Sequence, residues 1–293
     1  MKYMKIVIAA IVSVLLLCGC AGSAGNGRIA ATTLPVWEFS SRLCAGTPIT
    51  VTRLVTEQVS CLHDYSLNVR QVKAAESAET IIISGAGLED FLDDLLVNAS
   101  VIDASEGVGL LCGEEHEDEH HHEEGHHHEE DPHIWLSPVN AQVMARNICA
   151  GLSVRYPAYK KIFESNLTVL LRDLDTLRQY GEDTLSTLKC RNLITFHDGF
   201  SYFADFFDLT IVKAVEEESG SEASARELIE LITLVEEQSL PAIFTEASGS
   251  TSAASIIARE TGCGVFSLDM AMAGDSYFDA MYHNIDTIKE ALG

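Results

Sequence analysis

Several common features are scarce or missing in this chain, and each absence disfavours a class of protein. Lys and Arg total 19 against 44 Asp and Glu, and the net charge of -25 argues against nucleic acid or an anionic membrane surface as a partner. No two cysteines have CxxC spacing, so neither a thiolate zinc site nor a redox motif is expected. The letters of the zinc-hydrolase motif HExxH occur only within an acid- and histidine-rich stretch that has no apolar face for a buried helix. We therefore expect no enzyme, and a secreted zinc hydrolase is a minor alternative.

The N-terminus has the pattern of an export signal. A short positive region precedes an apolar run, residues 6–17, that is too short to span a bilayer as a helix. The run ends in the letters LCGC, residues 17–20, which resemble a bacterial lipobox and imply lipid attachment to Cys20. An ordinary secretory signal with an incidental cysteine is the alternative. We expect residues 1–19 to be a signal peptide and residues 20–27 a flexible tether, so that the protein is extracytoplasmic and lipid-anchored to the bacterial cell membrane.

The rest of the chain alternates short apolar segments with helical ones, which is typical of an α/β fold with largely parallel strands. We predict two Rossmann-like lobes, residues 28–136 and 189–293, joined by a helical connection, residues 137–188. The second helix of this connection begins at Pro157 and has an apolar stripe over about 45 Å, which predicts one long rigid helix. Gly181 would weaken or kink it. Strands are predicted at residues 28–33, 49–55, 80–84, 100–103, 193–196, 210–214, 242–245 and 264–268, and the other helices at 36–44, 68–75, 88–97, 137–154, 200–208, 223–238, 251–261 and 277–292.

Six cysteines beyond the signal region permit three disulfides in an exported chain. Their expected proximity within the lobes suggests three pairs, and six free thiols in peptide mapping would contradict them. The predicted pairs are Cys44–Cys61, Cys112–Cys149 and Cys190–Cys263.

One stretch cannot belong to a core. Residues 114–131 consist of ten acidic residues, seven histidines and one glycine, which predicts a solvated loop within the first lobe. Imidazole is the commonest metal ligand, so we expect the loop to attract metal in an auxiliary way, while incidental affinity of a low-complexity tail is the alternative. The loop histidines are His116, His120, His121, His122, His126, His127 and His128.

Metal-binding side chains follow several predicted strands. His197, Glu246 and Asp269 each come directly after a strand, His63 follows shortly after another, and His133 closes the histidine-rich loop. Ligands of open α/β sheets bind beyond the carboxyl ends of the strands, and three histidines with a carboxylate can fill the four-coordinate sphere of zinc. Taken singly, each histidine could instead be a hydrogen-bonded structural residue, and each carboxylate could cap the next helix.

Six strings, taken in order, resemble those of the metal-binding substrate-binding proteins of ABC transporters, in their zinc-uptake lipoprotein branch. The resemblance implies two lobes bridged by a rigid helix, with the metal at their interface and His63, His133 and His197 as ligands. Asp269 matches the fourth ligand of some members, although other members use water or a Glu in that position. Glu246 matches a position near the site, from which it would orient a histidine N–H. The chain departs from the family pattern where Ala247 and Met270 replace the usual prolines. The strings are HDY at 63–65, GAGLE at 85–89, DPHIWLSP at 131–138, FHD at 196–198, FTE at 244–246 and LD at 268–269.

The function that this resemblance implies is that of a monomeric extracytoplasmic receptor, which captures Zn²⁺ and delivers it to an ABC permease with a cytoplasmic ATPase. A manganese or other divalent-metal receptor is one alternative, although manganese sites favour more carboxylate, and a surface adhesin or metal-buffering lipoprotein is another. Zinc binding should weaken below about pH 6.5, because imidazole must be neutral to bind metal.

Overall fold

The computed structural model describes residues 27–57, 62, 65–97, 99–111, 130–215, 224–247 and 251–293. Within these ranges the strands form two four-stranded sheets, ordered β2-β1-β3-β4 and β6-β5-β7-β8, in which every pairing is parallel. The predicted α/β class with parallel sheets is confirmed. The strands are β1 Arg28–Ala31, β2 Thr50–Arg53, β3 Thr80–Ile83, β4 Val101–Asp103, β5 Asn192–Thr195, β6 Thr210–Ala214, β7 Ala242–Glu246 and β8 Gly264–Leu268.

Several helices begin at a residue whose side chain accepts free backbone N–H groups of the first turn. Asn68 accepts from the backbone of the first turn of α2, and Gln71 returns the bond in a capping box. Ser224 and Glu227 form the same motif at α7. The helices are α1 Leu34–Cys44, α2 Val69–Ser77, α3 Asp93–Leu96, α4 Pro138–Arg155, α5 Lys160–Leu185, α6 Ser201–Phe206, α7 Ala225–Glu237, α8 Ser252–Thr261 and α9 Tyr277–Leu292.

The helix predicted at residues 88–97 is interrupted. A 3₁₀ turn at Asp90–Leu92 precedes the four-residue helix α3. The chain enters this region through a turn in which Ala86 and Gly87 have positive φ angles of 56° and 81°. The side chain of Glu89 then points into the protein, where it accepts backbone N–H groups, so this region begins as a tight turn.

The connection between the sheets is a pair of packed helices. Ser137 caps α4, and Pro138 occupies its first position as predicted. Helix α5 has 26 residues, or about 39 Å, and contacts both α1 and α9. Its predicted apolar stripe is buried at Phe163, Leu170, Leu174 and Leu177.

Helix α5 continues without interruption through Gly181, the position predicted to weaken or kink it. A Cβ atom at this position would lie 2.4 Å from a ring carbon of Phe207 and 3.1 Å from Cδ1 of Ile285. The glycine therefore allows Phe207 and the last helix to approach α5 closely.

The two sheets share one hydrophobic core. The largest cluster of buried apolar side chains includes Ile29 and Ile82 from the first sheet and Leu193 and Phe244 from the second. Hydrogen bonds also join the two halves, including the one from the backbone N–H of Leu34 to the carbonyl of Met272. Among the described residues, none of the helices is both long and apolar enough to cross a membrane.

The disulfide predicted between Cys190 and Cys263 is not formed in this structure, where both thiols are free. Cys190 lies just before β5 and Cys263 just before β8, and these two strands pair with opposite edges of β7. Two strand spacings amount to about 9.6 Å, which exceeds the Cα separation of about 7 Å that a disulfide tolerates.

The two remaining predicted pairs each include a cysteine that lies outside the described residues, so they stay predictions. Cys44 and Cys149 are buried free thiols, whereas their predicted partners Cys61 and Cys112 lie outside the described residues. Burial raises the pKa of the Cys44 thiol to about 12 and also raises the pKa of Cys149. Neither thiol is therefore disposed to ionise and react.

Candidate metal-binding site

His133 is held by a carboxylate two residues before it. Oδ1 of Asp131 accepts the backbone N–H of His133 at 2.9 Å and lies 2.8 Å from Nδ1 of its ring. Both side chains are buried. A proton on Nδ1 completes this contact as a hydrogen bond and leaves Nε2 as the basic nitrogen, which has no hydrogen-bond partner among the described residues.

The residues after His133 anchor it in the core. A 3₁₀ turn, Ile134–Leu136, follows it directly and is fully buried. Nε1 of Trp135 donates to the carbonyl of Met270, and the hydroxyl of Tyr277 donates to the carbonyl of Trp135, both at 2.8 Å. Because Met270 and Tyr277 belong to the second half of the chain, His133 is fixed where the two halves meet.

His197 is paired with a carboxylate from the neighbouring strand. In the register of β5 and β7, Thr195 is opposite Phe244. His197 and Glu246 each lie two positions further on, and Nδ1 of the histidine is 3.3 Å from Oε1 of the glutamate. Glu246 is 6% exposed, so the carboxylate and the imidazole interact in a region of low dielectric.

The two imidazoles lie against each other. Their ring centroids are 5.3 Å apart and their planes are inclined by 87°. Gly199 makes this arrangement possible, because a Cβ atom there would lie 2.8 Å from Cδ2 of His197 and 3.1 Å from Cε1 of His133. Sequence reasoning missed Gly199, although its position two residues after a candidate ligand was a usable signal.

Asp269 follows β8 and is fixed by its surroundings. Its Oδ1 accepts the backbone N–H of Ala271 at 2.7 Å, and its own backbone exchanges two hydrogen bonds with the buried amide of Asn284. No group of three or more His, Cys, Asp or Glu side chains arranged for a metal ion is found in the described part of the chain. Asp269 does not complete such a group with His133 and His197 there.

Other predicted site residues lie outside the described residues. These are His63, the lipidation candidate Cys20 and all seven loop histidines. The described residues that flank His63 are linked to each other, since the hydroxyl of Tyr65 donates to Oε2 of Glu57 at 2.9 Å. Nε2 of the buried Gln71 donates to the same oxygen at 3.0 Å. Sequence reasoning did not identify this network.

Glu89 occupies the carboxyl end of the first sheet and is fully hydrogen-bonded there. It accepts from Oγ1 of Thr32 at 2.6 Å and from the backbone N–H groups of Ser84 and Gly85 at 2.7 and 3.0 Å. Burial raises the pKa of this carboxyl to about 7, although the hydrogen bonds favour the charged form. This cluster contains no described histidine.

Comparison with known proteins identifies the family. The family described as "Zinc-uptake complex component A periplasmic" matches residues 29–291, nearly the whole chain. The chain belongs to this zinc-uptake component A family. The resemblance inferred from the six sequence strings is thereby confirmed.

Named relatives and a solved structure agree with this assignment. The zinc-binding lipoprotein AdcA of Streptococcus pneumoniae R6 is 29% identical over 99% of this chain, which spans only 61% of that relative's length. The high-affinity zinc uptake system protein ZnuA of Bacillus subtilis is 27% identical over 98% of this chain and 96% of its own. The crystal structure of the Zn(II)-bound ZnuA-like domain of S. pneumoniae AdcA superposes with a TM-score of 0.77 at 26% identity, covering 92% of this chain and 99% of that domain.

Proposed function

We propose that this protein is the extracytoplasmic receptor of a zinc uptake system, which captures Zn²⁺ and delivers it to an ABC permease with a cytoplasmic ATPase. The observation that carries the proposal is the pair of adjoining imidazoles, His133 and His197, whose Nδ1 atoms each face a buried carboxylate. Zinc prefers imidazole nitrogen, and a carboxylate on the second ring nitrogen makes the first more basic. Family membership and the names of the relatives support zinc as the cargo.

The proposed ligand set is His133, His197, His63 and Asp269. The geometry of the structure supports His133 and His197. The matching family strings support His63 and Asp269. Glu246 is proposed to orient His197, and its 3.3 Å contact with the ring supports that role.

The organisation of the chain around the site is proposed as well. A signal peptide would end before Cys20, whose lipid would tether the monomeric receptor to the cell membrane. Two lobes, residues 28–136 and 189–293, would enclose the metal on either side of the connection at residues 137–188. The two sheets and α5 support this division. The histidine-rich residues 114–131 would collect zinc in an auxiliary role.

Native mass spectrometry of the mature protein, titrated with zinc, tests the proposal. We expect one tightly bound ion in the unsubstituted protein and its loss in His133→Ala. His283→Ala is the matched control, because His283 is exposed on α9 and its Nε2 lies 3.2 Å from the carbonyl oxygen of Ser267, away from His133 and His197 in the sequence. Tight binding that survives His133→Ala would refute the assigned site.

The transport role requires a separate experiment in cells. A strain that lacks this receptor should grow poorly when zinc is limiting, and excess zinc should restore its growth. Unchanged growth in limiting zinc would contradict an uptake role and favour an adhesin or a metal buffer.

A further inference from the structure

The hydroxyl group of Tyr202 joins two distant parts of the chain. Tyr202 lies in α6, five residues after His197, and is 3% exposed. Its oxygen accepts the backbone N–H of Leu111 at 2.9 Å and donates to the carbonyl of Asp131 at 2.9 Å. Leu111 and Asp131 are also joined directly, since the N–H of Asp131 donates to the carbonyl of Leu111 at 3.0 Å.

These two residues flank the histidine-rich stretch in the sequence. Leu111 is the last described residue before it and Asp131 is its last residue, so the described segments on either side of the stretch meet at one point. A side chain from the second half of the chain secures that point. Asp131 is in turn the residue whose carboxylate fixes the ring of His133.

We propose that Tyr202 is a positioning residue for His133, which keeps the central site in place whatever the histidine-rich stretch binds. The inference rests on the proposed zinc-receptor function. The carboxylate of Asp131 points at Nδ1 of His133 only while the Asp131 backbone is fixed, and its N–H and C=O groups are both used to fix it. Residues 114–130 carry nine acidic side chains and seven histidines, whose net charge changes when they take up metal.

Removal of the hydroxyl leaves polar backbone groups of Leu111 and Asp131 without this partner. A buried backbone group without a hydrogen-bond partner costs free energy. We therefore expect Leu111 and Asp131 to separate and Asp131 to lose its fixed orientation. When residues 114–130 are deleted, the shorter connection would keep Leu111 and Asp131 together without the Tyr202 hydroxyl. Tyr202→Phe should therefore affect zinc binding much more when the stretch is present than when it is deleted.

The test measures zinc affinity of the mature protein by competition with a fluorescent chelator. Tyr202→Phe is made in the full chain and in a variant that lacks residues 114–130. We expect affinity for the tight ion to fall about tenfold in the full chain and by less than about threefold in the shortened chain. Tyr180→Phe is the control, because it removes an exposed hydroxyl that bonds to Asp286 in α9.

An equal loss of affinity in both backgrounds, or none in either, would overturn the inference, even if thermal stability falls. Absence of tight zinc binding in the unsubstituted chain would instead refute the proposed function. Hydrogen exchange of the unsubstituted protein is a test that does not depend on the variant. The Leu111 amide should be equally well protected with and without zinc, and rapid exchange in either state would also overturn the inference.

Discussion

The two sheets have the same strand order but use the carboxyl ends of their strands differently. In the first sheet, Glu89 is enclosed by donors from Thr32, Ser84 and Gly85, which satisfy its carboxylate locally. At the end of the second sheet, His197 and Glu246 stand side by side, and His133 is packed against them.

The contrast shows that a polar residue at a strand end is not sufficient evidence for a binding site. Glu89 occupies such a position, yet its hydrogen bonds are made within its own turn and strand ends, which is the signature of a structural group. His133 is 2% exposed, and its Nε2 has no hydrogen-bond partner among the described residues. Leaving a buried nitrogen without a hydrogen-bond partner costs free energy, and this supports the proposed role of His133 as a metal ligand.

Gly199→Ala should break the second cluster with the largest effect on zinc binding. The new methyl group would press on the rings of His197 and His133, and we expect affinity to fall by about 100-fold because the two imidazoles must separate. Chelator competition measures the change. Gly109→Ala is the matched control, since a Cβ atom there meets no other atom within 4 Å. Wild-type affinity in Gly199→Ala would mean that the rings need not adjoin to bind zinc.

Glu246→Gln should weaken zinc binding less, by about tenfold, which is the lower end of the range for residues that orient a metal ligand. The amide can still accept a hydrogen bond from Nδ1 of His197 but no longer carries the charge that makes the ring basic. Calorimetry would measure the loss, with the exposed Glu237→Gln on α7 as control. If both variants bind equally well, Glu246 has no role in orienting the histidine.

Glu89→Gln should leave zinc affinity unchanged and alter the pH dependence of folding instead. The folded carboxyl has a pKa of about 7, above its value of 4.5 when solvated, so between these pH values the folded state holds a proton that the unfolded chain has lost. The resulting stabilisation is fully present below about pH 4.5 and is lost as the pH rises through 7, an effect of up to about 3 kcal/mol.

Urea unfolding of the zinc-free protein at several pH values measures this contribution. As the pH rises from 5 to 7.5, the unfolding free energy of the parent protein should fall relative to that of Glu89→Gln. A difference that stays constant would show that Glu89 is charged in the folded protein throughout that range.

Deletion of residues 114–130 should have the smallest effect on the tight ion. The deletion should remove weaker additional zinc ions, while the affinity for the tight one stays within about twofold, since His133 and His197 both lie outside the deleted stretch. Zinc titration by calorimetry distinguishes the two classes of ion. Loss of the tight ion would show that the main site depends on the stretch itself.

The fold class was accessible from sequence because alternating apolar segments and helical stripes report which face of each element is buried. The same reasoning placed His197, Glu246 and Asp269 directly after strands. In the structure Asp269 directly follows β8, Glu246 is the last residue of β7, and His197 lies two residues beyond the end of β5. Residue periodicity contains no information, however, about which residues of separate elements lie side by side, and the disulfide predicted between Cys190 and Cys263 was wrong for that reason. Cys190 and Cys263 are separated by β7, and Gly181 makes room for Phe207 within an unbroken helix.

The sequence by itself determined the class of the fold, the family strings and the candidate histidines, since these depend on residue type and spacing along one segment. Only the tertiary structure decided how the histidines are held. Asp131 lies beside His133 because of local chain geometry, whereas Glu246, Gly199 and Tyr202 act through contacts between separate elements. Packing within a shared core fixes such contacts, and no local pattern encodes them.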